Sequence, residues 1–385
     1  MNNSKRMLFA AAIVFQLLQA FDADAAPPNR NQEGPTAVQG ALSPHAKTSV
    51  VFVHDAAIDE YMATVLLTTM PEVDLRAIVI VNADCIAGPA MNAAWKIQSF
   101  LKRPKMPLGL SDARGWNQFP WPYRSDCIKL GNIAQLKNVS VPPNWPYYPP
   151  TPEDAPTGPP TASSSTSPGY PSGDALLRDK LAEAADTKTP VTLLMTCPLT
   201  PLSNLLRTKP SLAFGIREVI WMGGAVNGSN GNLDPSTIPA EVANGYAEWN
   251  AFWDPWAVDW ILKNTQFPLT VFPLNVTDQA AITHAFLDQL KLQSARFQYS
   301  KLAYDSYSLV KNVPTYEMWD VVTTCYLARP AFFDKPQSMR LKIITEGYFQ
   351  GSLVPDPGAP RNVQVVLSLA DPAGFYKYVL HQLQK

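Results

Sequence analysis

Three carboxylates crowd the segment His54-Asp55-Ala56-Ala57-Ile58-Asp59-Glu60. Like charges this close repel unless something positive sits among them. An oxygen-only donor set suits a hard cation, Ca²⁺ or Mg²⁺, rather than zinc. The competing reading is local: Asp59 as a helix N-cap and Glu60 as a favourable charge in the first turn. For an isolated cluster, capping is the commoner explanation. The preceding residues, Ser49-Val50-Val51-Phe52-Val53-His54, place the cluster, and more distant segments tip the balance. They form an apolar, β-branched run too short for a helix, as expected of a buried parallel strand. Asp55 then stands at the carboxyl end of a strand, where open α/β sheets place their ligands.

Other segments put polar groups at the same kind of position. Asn82-Ala83-Asp84-Cys85 follows a second apolar run, Leu75–Val81. Thr196 ends the run Val191–Met195. Met222-Gly223-Gly224-Ala225-Val226 follows Glu218–Met222 and opens a Gly/Asn-rich loop reaching Asn232. Glu248, Asn250 and Asp254 lie close together in Ala247-Glu248-Trp249-Asn250-Ala251-Phe252-Trp253-Asp254-Pro255, and Trp319-Asp320 precedes an apolar stretch.

The elements that position these groups alternate. Helices are expected over Asp59–Thr69, Ala90–Leu101, Leu176–Ala185 and Asp254–Lys263, with a further strand at Leu269–Phe272. This order predicts an α/β fold with a doubly wound, mostly parallel sheet and helices on both faces. Residues 141–173 break the rhythm with a Pro/Ser-rich tract that cannot bury a core. Because the alternation resumes afterwards, the tract reads as an insertion in one domain spanning 48–385, and 26–47 as a disordered lead-in.

The N-terminus has a basic start at Lys5-Arg6, an apolar run Met7–Phe21 and the small-residue pattern Ala23-Asp24-Ala25. That is a secretory signal peptide over 1–25, too short to span a membrane comfortably. The expected location is secreted or periplasmic, with no membrane contact after cleavage. A net charge of −1 gives no electrostatic grip on nucleic acid. With 10 Trp and 14 Tyr, some aromatic rings must lie near the surface or in a pocket. Sequons occur at Asn138, Asn227 and Asn275. The four cysteines, Cys85, Cys127, Cys197 and Cys325, fit no metal spacing.

Together these motifs resemble the inosine–uridine nucleoside hydrolase family, and most of all its purine-preferring (inosine–adenosine–guanosine) branch. The match runs from about Val51 to about Asp334. Its most specific parts are Met222–Val226, Ala247–Asn250 and Asp254-Pro255; Asn82–Cys85 and Trp319-Asp320 are particular to the purine-type branch. The resemblance implies hydrolysis of the N-glycosidic bond of purine ribonucleosides to ribose and free base, serving nucleoside scavenging. It implies Ca²⁺ as cofactor, a calcium-bound water activated by Asp55, and a homodimer. The metal ligands would be Asp55, Glu60, the Thr196 backbone carbonyl and Asp320. Asp59, Asp84, Asn232, Glu248 and Asn250 would bind ribose. Trp319 would stack on the base, where pyrimidine-tolerant relatives carry a histidine that acts as leaving-group acid. Such a site suits cleavage through an oxocarbenium-like sugar, which carboxylates and amide oxygens stabilise.

The sequence also departs from the family pattern. Val53 replaces the first aspartate of the D-x-D-x-x-x-D-D signature, Ala56-Ala57 replaces Pro-Gly or Gly-Asn, and Glu60 replaces an aspartate. Calcium accepts a bidentate Glu. Thr200 rivals Thr196, and Asn230 rivals Asn232. Ser125 falls where the purine branch has a second tryptophan, leaving Trp121, Tyr123 or Trp116 to form that wall, or to pack on Pro120 and Pro122 as loop aromatics. If that loop covers the site, Cys127, which matches a family cysteine, comes near Cys85 to form a disulfide; buried free thiols are the alternative. A nucleoside-binding or interaction protein on an impaired hydrolase scaffold is the second functional reading.

Overall fold

Seven-residue β1 (Thr48–His54) is buried on both faces, and its alternation shows how. Val50 and Phe52 enter one apolar layer, Val51 and Val53 the other. A strand covered on both sides belongs inside a parallel sheet. The computed structural model describes residues 47–117, 126–146, 169–226, 231–233, 238, 240–241, 243–313 and 316–385. The segment Lys5–Ala25, the lead-in up to residue 46, Trp121, Tyr123, Ser125, Asn227, Asn230 and most of the Pro/Ser-rich tract lie outside the described residues.

After β1 the chain runs through α1 (Ile58–Thr69), β2 (Val73–Val81), α2 (Ala87–Phe100), β3 (Leu108–Ser111) and α3 (Asp126–Gly131). Next come α4 (Gly173–Asp186), β4 (Val191–Thr196), α5 (Thr200–Thr208) and β5 (Ile216–Met222). They are followed by α6 (Trp249–Trp253), α7 (Pro255–Asn264), β6 (Leu269–Phe272) and α8 (Leu274–Thr277). Helices α9 (His284–Gln293), α10 (Gln298–Ser308) and α11 (Trp319–Tyr326) lead to short strands β7 (Gln337–Met339), β8 (Leu341–Ile343), β9 (Leu353–Pro355) and β10 (Val363–Val365), and to α12 (Pro372–Gln382).

The main sheet has eight strands in the order β3-β2-β1-β4-β5-β6-β10-β7, parallel except for the β10–β7 pair. The α/β architecture expected from the alternation is the one observed. One apolar layer joins this sheet to α1, α2, α9, α10, α11 and α12; the opposite layer joins it to α4, α5 and α7. Each fully buried Val, Leu or Ile contributes about 1.5–3 kcal/mol relative to exposure. The described residues fall in one compact unit, 45–385. Among them, no helix is long and apolar enough to cross a membrane.

Register sets the site. His54 pairs with Ile80 of β2 and Thr196 of β4. The chain therefore leaves β1, β2, β4 and β5 along one sheet edge, bringing Asp55, Asn82–Asp84, Thr196 and Gly223 to it. Helix α1 starts at Ile58, with Ala57 at its N-cap and no capping side chain. Asp59 is thus inside the first turn, which removes the capping explanation for it. Ala56 has φ +81° and is fully buried. This left-handed geometry costs an L-residue about 1–2 kcal/mol, and it falls where the family turn commonly carries glycine.

Cys85, in the loop after β2, is disulfide-bonded to Cys127 of α3, with Cα atoms 6.4 Å apart; Cys197 and Cys325 are buried free thiols. The bond closes a loop with a sequence separation of 42. Cys85→Ala combined with Cys127→Ala should lower unfolding stability by about 2–4 kcal/mol. Urea denaturation with and without reductant checks this: the wild type should move toward the double variant on reduction, and the variant should not respond.

Candidate active site

The carboxylates converge from distant parts of the chain. Asp59, at the start of α1, accepts a hydrogen bond from the Asp320 backbone N–H at the start of α11 (2.9 Å) and another from the Tyr316 hydroxyl (3.3 Å). The same hydroxyl accepts from the Ile58 N–H at 3.0 Å, tying the first turn of α1 to the lead-in of α11. Carboxylate oxygens of Asp59, Glu60 and Asp320 all lie within 4.8 Å of one another, and all three residues are buried. Asp55 joins them through a side-chain hydrogen bond with Glu60. Its backbone carbonyl accepts from the Cys85 N–H at 3.1 Å, so the β2–α2 loop holds the exit of β1 in place.

Burial raises Asp55, Glu60 and Asp320. It pushes the Asp55 carboxyl up to about 8; the Glu60 hydrogen bond works against the rise, and the charges of Asp84 and Glu248 add to it. Glu60 and Asp320 are driven well above the usual carboxylate range, first by burial and then by neighbouring carboxylates. Glu60 Oε2 is buried with no hydrogen-bond partner. Such a cluster suits a bound hard cation, which would supply the missing positive charge and use the orphaned oxygen.

Around the cluster stand the other groups singled out in the sequence. Glu248 caps α6: its carboxylate accepts from the backbone N–H groups of Asn250 (2.8 Å), Ala251 (3.1 Å) and Gly224 (2.7 Å). Burial lifts it to about 7 against those three bonds. A carboxylate has about four acceptor directions, so one remains for a ligand. Gly224 has φ +82°, and a side chain there would collide with Leu353. Asn250 donates to the Met222 carbonyl at 3.2 Å, leaving its Oδ1 to accept. Asn232 is held by its N–H to the Ala247 carbonyl (3.0 Å), and its Oδ1 is buried without a partner among the described residues.

The alternatives separate. Thr196 ends β4 beside His54, its hydroxyl buried and unpartnered. Thr200 begins α5 and donates its hydroxyl to Asp254, the N-cap of α7, at 2.7 Å, a bond that ties the two helix starts together. Trp116 is exposed and lies edge-on to Trp256. Val53 points into the apolar layer with Val51, Met195 and Cys197, so the aspartate missing from the signature is replaced by packing. His54 stacks on Phe52 at 4.6 Å, and burial drives its pKa down to about 3, so it is a neutral core ring.

The family model described as inosine-uridine preferring nucleoside hydrolase matches residues 50–377. The chain belongs to this family. Among curated relatives it is 26% identical to Nucleoside hydrolase 4 of Arabidopsis thaliana over 64% of this chain and 47% of that protein. It is 30% identical to the non-specific ribonucleoside hydrolase RihC of Salmonella newport over 53% of this chain and 62% of that protein. These alignments thus span about half the length of the relatives. The solved inosine-uridine preferring nucleoside hydrolase of Bacillus anthracis superposes with a TM-score of 0.70 at 26% identity, covering 88% of this chain and 99% of that one. The purine-preferring ribonucleoside hydrolase of Gardnerella vaginalis shares the fold, with a TM-score of 0.65 at 17% identity and coverage of 88% and 98%.

Sequence reasoning missed two residues of the site. Tyr316 carries no local signal, because its hydroxyl matters only once α11 meets α1. Asp278 had one: it follows β6 by a few residues, on the sheet edge that carries the other carboxylates.

Cation binding should be visible in stability. The Asp55 carboxyl titrates near 8 when folded, against an ordinary 3.8. Between about pH 4 and pH 8 the cation-free native state therefore holds more protons than the unfolded chain, and its stability falls as pH rises. Ca²⁺ added to chelator-treated protein should raise the melting temperature more at pH 8 than at pH 5. Scanning calorimetry at both pH values checks it; equal shifts, or none, contradict a cation at this cluster.

Proposed function

We propose that this protein hydrolyses the N-glycosidic bond of purine ribonucleosides, releasing ribose and free base. The observation that carries this reading is the meeting of Asp55, Asp59, Glu60 and Asp320 at one sheet edge, with Asn250, Glu248 and Trp319 around them. Asp55, Glu60 and Asp320 would hold calcium with the Thr196 carbonyl, and Asp59 lies within the same group. When bound, calcium supplies charge compensation for these carboxylates and a Lewis acid for ribose hydroxyls and water.

The chain's own groups do the rest. Asp55, ionised once its neighbours are compensated, accepts the proton of the attacking water. Asp59, with both carboxylate oxygens oriented by Tyr316 and the Asp320 N–H, accepts from ribose hydroxyls. Asn250 Oδ1 and the free acceptor direction of Glu248 face the sugar and favour its developing positive charge. Trp319, half-buried at the start of α11, offers an indole face to the departing base. A purine gives that face more overlap than a pyrimidine, which supports the purine preference.

We also read Lys5–Ala25 as an export signal, placing the protein in the secreted or periplasmic space. The Cys85–Cys127 disulfide supports an oxidising compartment. A homodimer remains part of the proposal by family resemblance.

Ribose release from inosine, guanosine, adenosine and uridine in the presence of Ca²⁺ tests the reading by reducing-sugar assay. Purine nucleosides should be cleaved faster than uridine, and Asp55→Ala should lower kcat by about 10²–10⁴-fold. Absence of ribose from all four would leave nucleoside binding without hydrolysis.

A further inference from the structure

We infer that Asp278 is a positioning residue for the base: its carboxylate sets the Trp319 indole as the wall on which the leaving base stacks. The inference rests on the hydrolase reading above. Asp278 Oδ1 accepts from Trp319 Nε1–H at 2.9 Å. No Lys or Arg among the described residues forms an ion pair with Asp278. Burial raises its pKa, and the indole N–H pulls it back. Asp278 is nevertheless solvent-exposed, so packing does not account for its place, and the bond that orients its side chain is the one to the indole. A charge-assisted bond to an indole fixes the direction of the ring more firmly than a neutral acceptor would.

The platform under Asp278 is rigid. It ends α8, which is bound to the loop after β5: Leu274 N–H donates to the Gly224 carbonyl at 2.9 Å, and the Asn275 side chain bonds both the N–H and the carbonyl of Val226 (2.9 and 3.1 Å). Just beyond Asp278, the Ala280 carbonyl accepts from the Met318 N–H at 2.9 Å. The segment that fixes the indole N–H thereby also fixes the backbone that carries the indole. The ring packs on Met222, Ala225 and Leu274, and Tyr316 lies against it with ring centroids 5.1 Å apart. Met222 in turn holds Asn250 through its carbonyl. The base wall and the sugar wall therefore share a support, and a shift of the indole would misplace the base relative to the ribose.

The test measures inosine affinity by titration calorimetry on the calcium-loaded full chain, alongside kcat and KM for ribose release. A protein that binds without cleaving is thus still informative. Asp278→Ala should weaken inosine binding and raise KM about tenfold, with a smaller change in kcat. Asp278→Asn keeps an oxygen acceptor for the indole and should stay within about threefold of wild type. Trp319→Phe keeps a ring but has no N–H, so Asp278→Ala should add no further loss in that background. Equal loss from Asp278→Ala in both backgrounds, or no loss where Trp319→Ala weakens inosine binding, would overturn the inference. If Trp319→Ala itself leaves inosine binding unchanged, the base-stacking reading fails and this inference falls with it. If binding follows the expected pattern but no ribose appears, only the hydrolase reading fails.

Discussion

Four carboxyl groups held out of water within reach of one another form the constraint around which this fold is arranged. Asp55, Glu60 and Asp320 are pushed toward the protonated form, and burial rather than mutual repulsion is the larger cause. A chain gains nothing in stability from such a cluster without a positive partner, because an uncompensated buried charge is strongly unfavourable. The structure nevertheless commits backbone N–H groups, a tyrosine hydroxyl and a left-handed alanine to hold it. These features tolerate local cost for the sake of a site, as strained backbone near functional groups commonly does. A bound cation would be the compensation that makes the arrangement sensible.

The parallel sheet delivers this cluster economically. All strand exits from β1, β2, β4, β5 and β6 point to one edge, so a single residue after each strand suffices to place a group there. Asp55 and Thr196 follow that rule directly, and the Gly223–Val226 turn uses it to present the Gly224 N–H to Glu248. Asp320 arrives differently. It starts a helix; its backbone N–H donates to Asp59 at 2.9 Å, and its side chain also bonds Asp59 and Glu60. The contact between α1 and α11 thus brings the last carboxylate in and orients the first-turn carboxylate with the same peptide group.

Legibility of the sequence followed the physics of burial. Runs such as Val191–Met195 and Leu269–Phe272 are apolar on both faces and bounded by polar residues, so their strands could be read to within a residue or two of the observed ends. Helix α2 begins at Ala87 rather than Ala90, because Pro89 is admitted in the first turn where its missing N–H is not needed. Short pieces were not legible. Strands β7, β8, β9 and β10 have three residues each, too few for any period to show. At the site, residue types after strands were readable, whereas division of labour within the cluster was not. Asp59 lies as near Glu60 and Asp320 as a shared ion would need, although resemblance had set it aside for ribose. Which oxygen faces which neighbour depends on how α11 meets α1, and no local pattern encodes that.

The same reasoning explains why Glu248 looks so strongly determined. Its carboxylate caps α6, gathers the Gly224 loop and leaves one acceptor direction unused by these bonds. Aspartate there would be one methylene short of bridging three N–H groups on two segments. Glutamine could reach them, but its amide would present a donor to at least one N–H. The residue therefore links two segments: its acceptor bonds tie the Gly224 loop to the start of α6. Burial, which lifts Glu248 to about 7, and the three bonds that oppose the rise are balanced close to neutrality. A positive charge developing beside Glu248 would favour its ionised form.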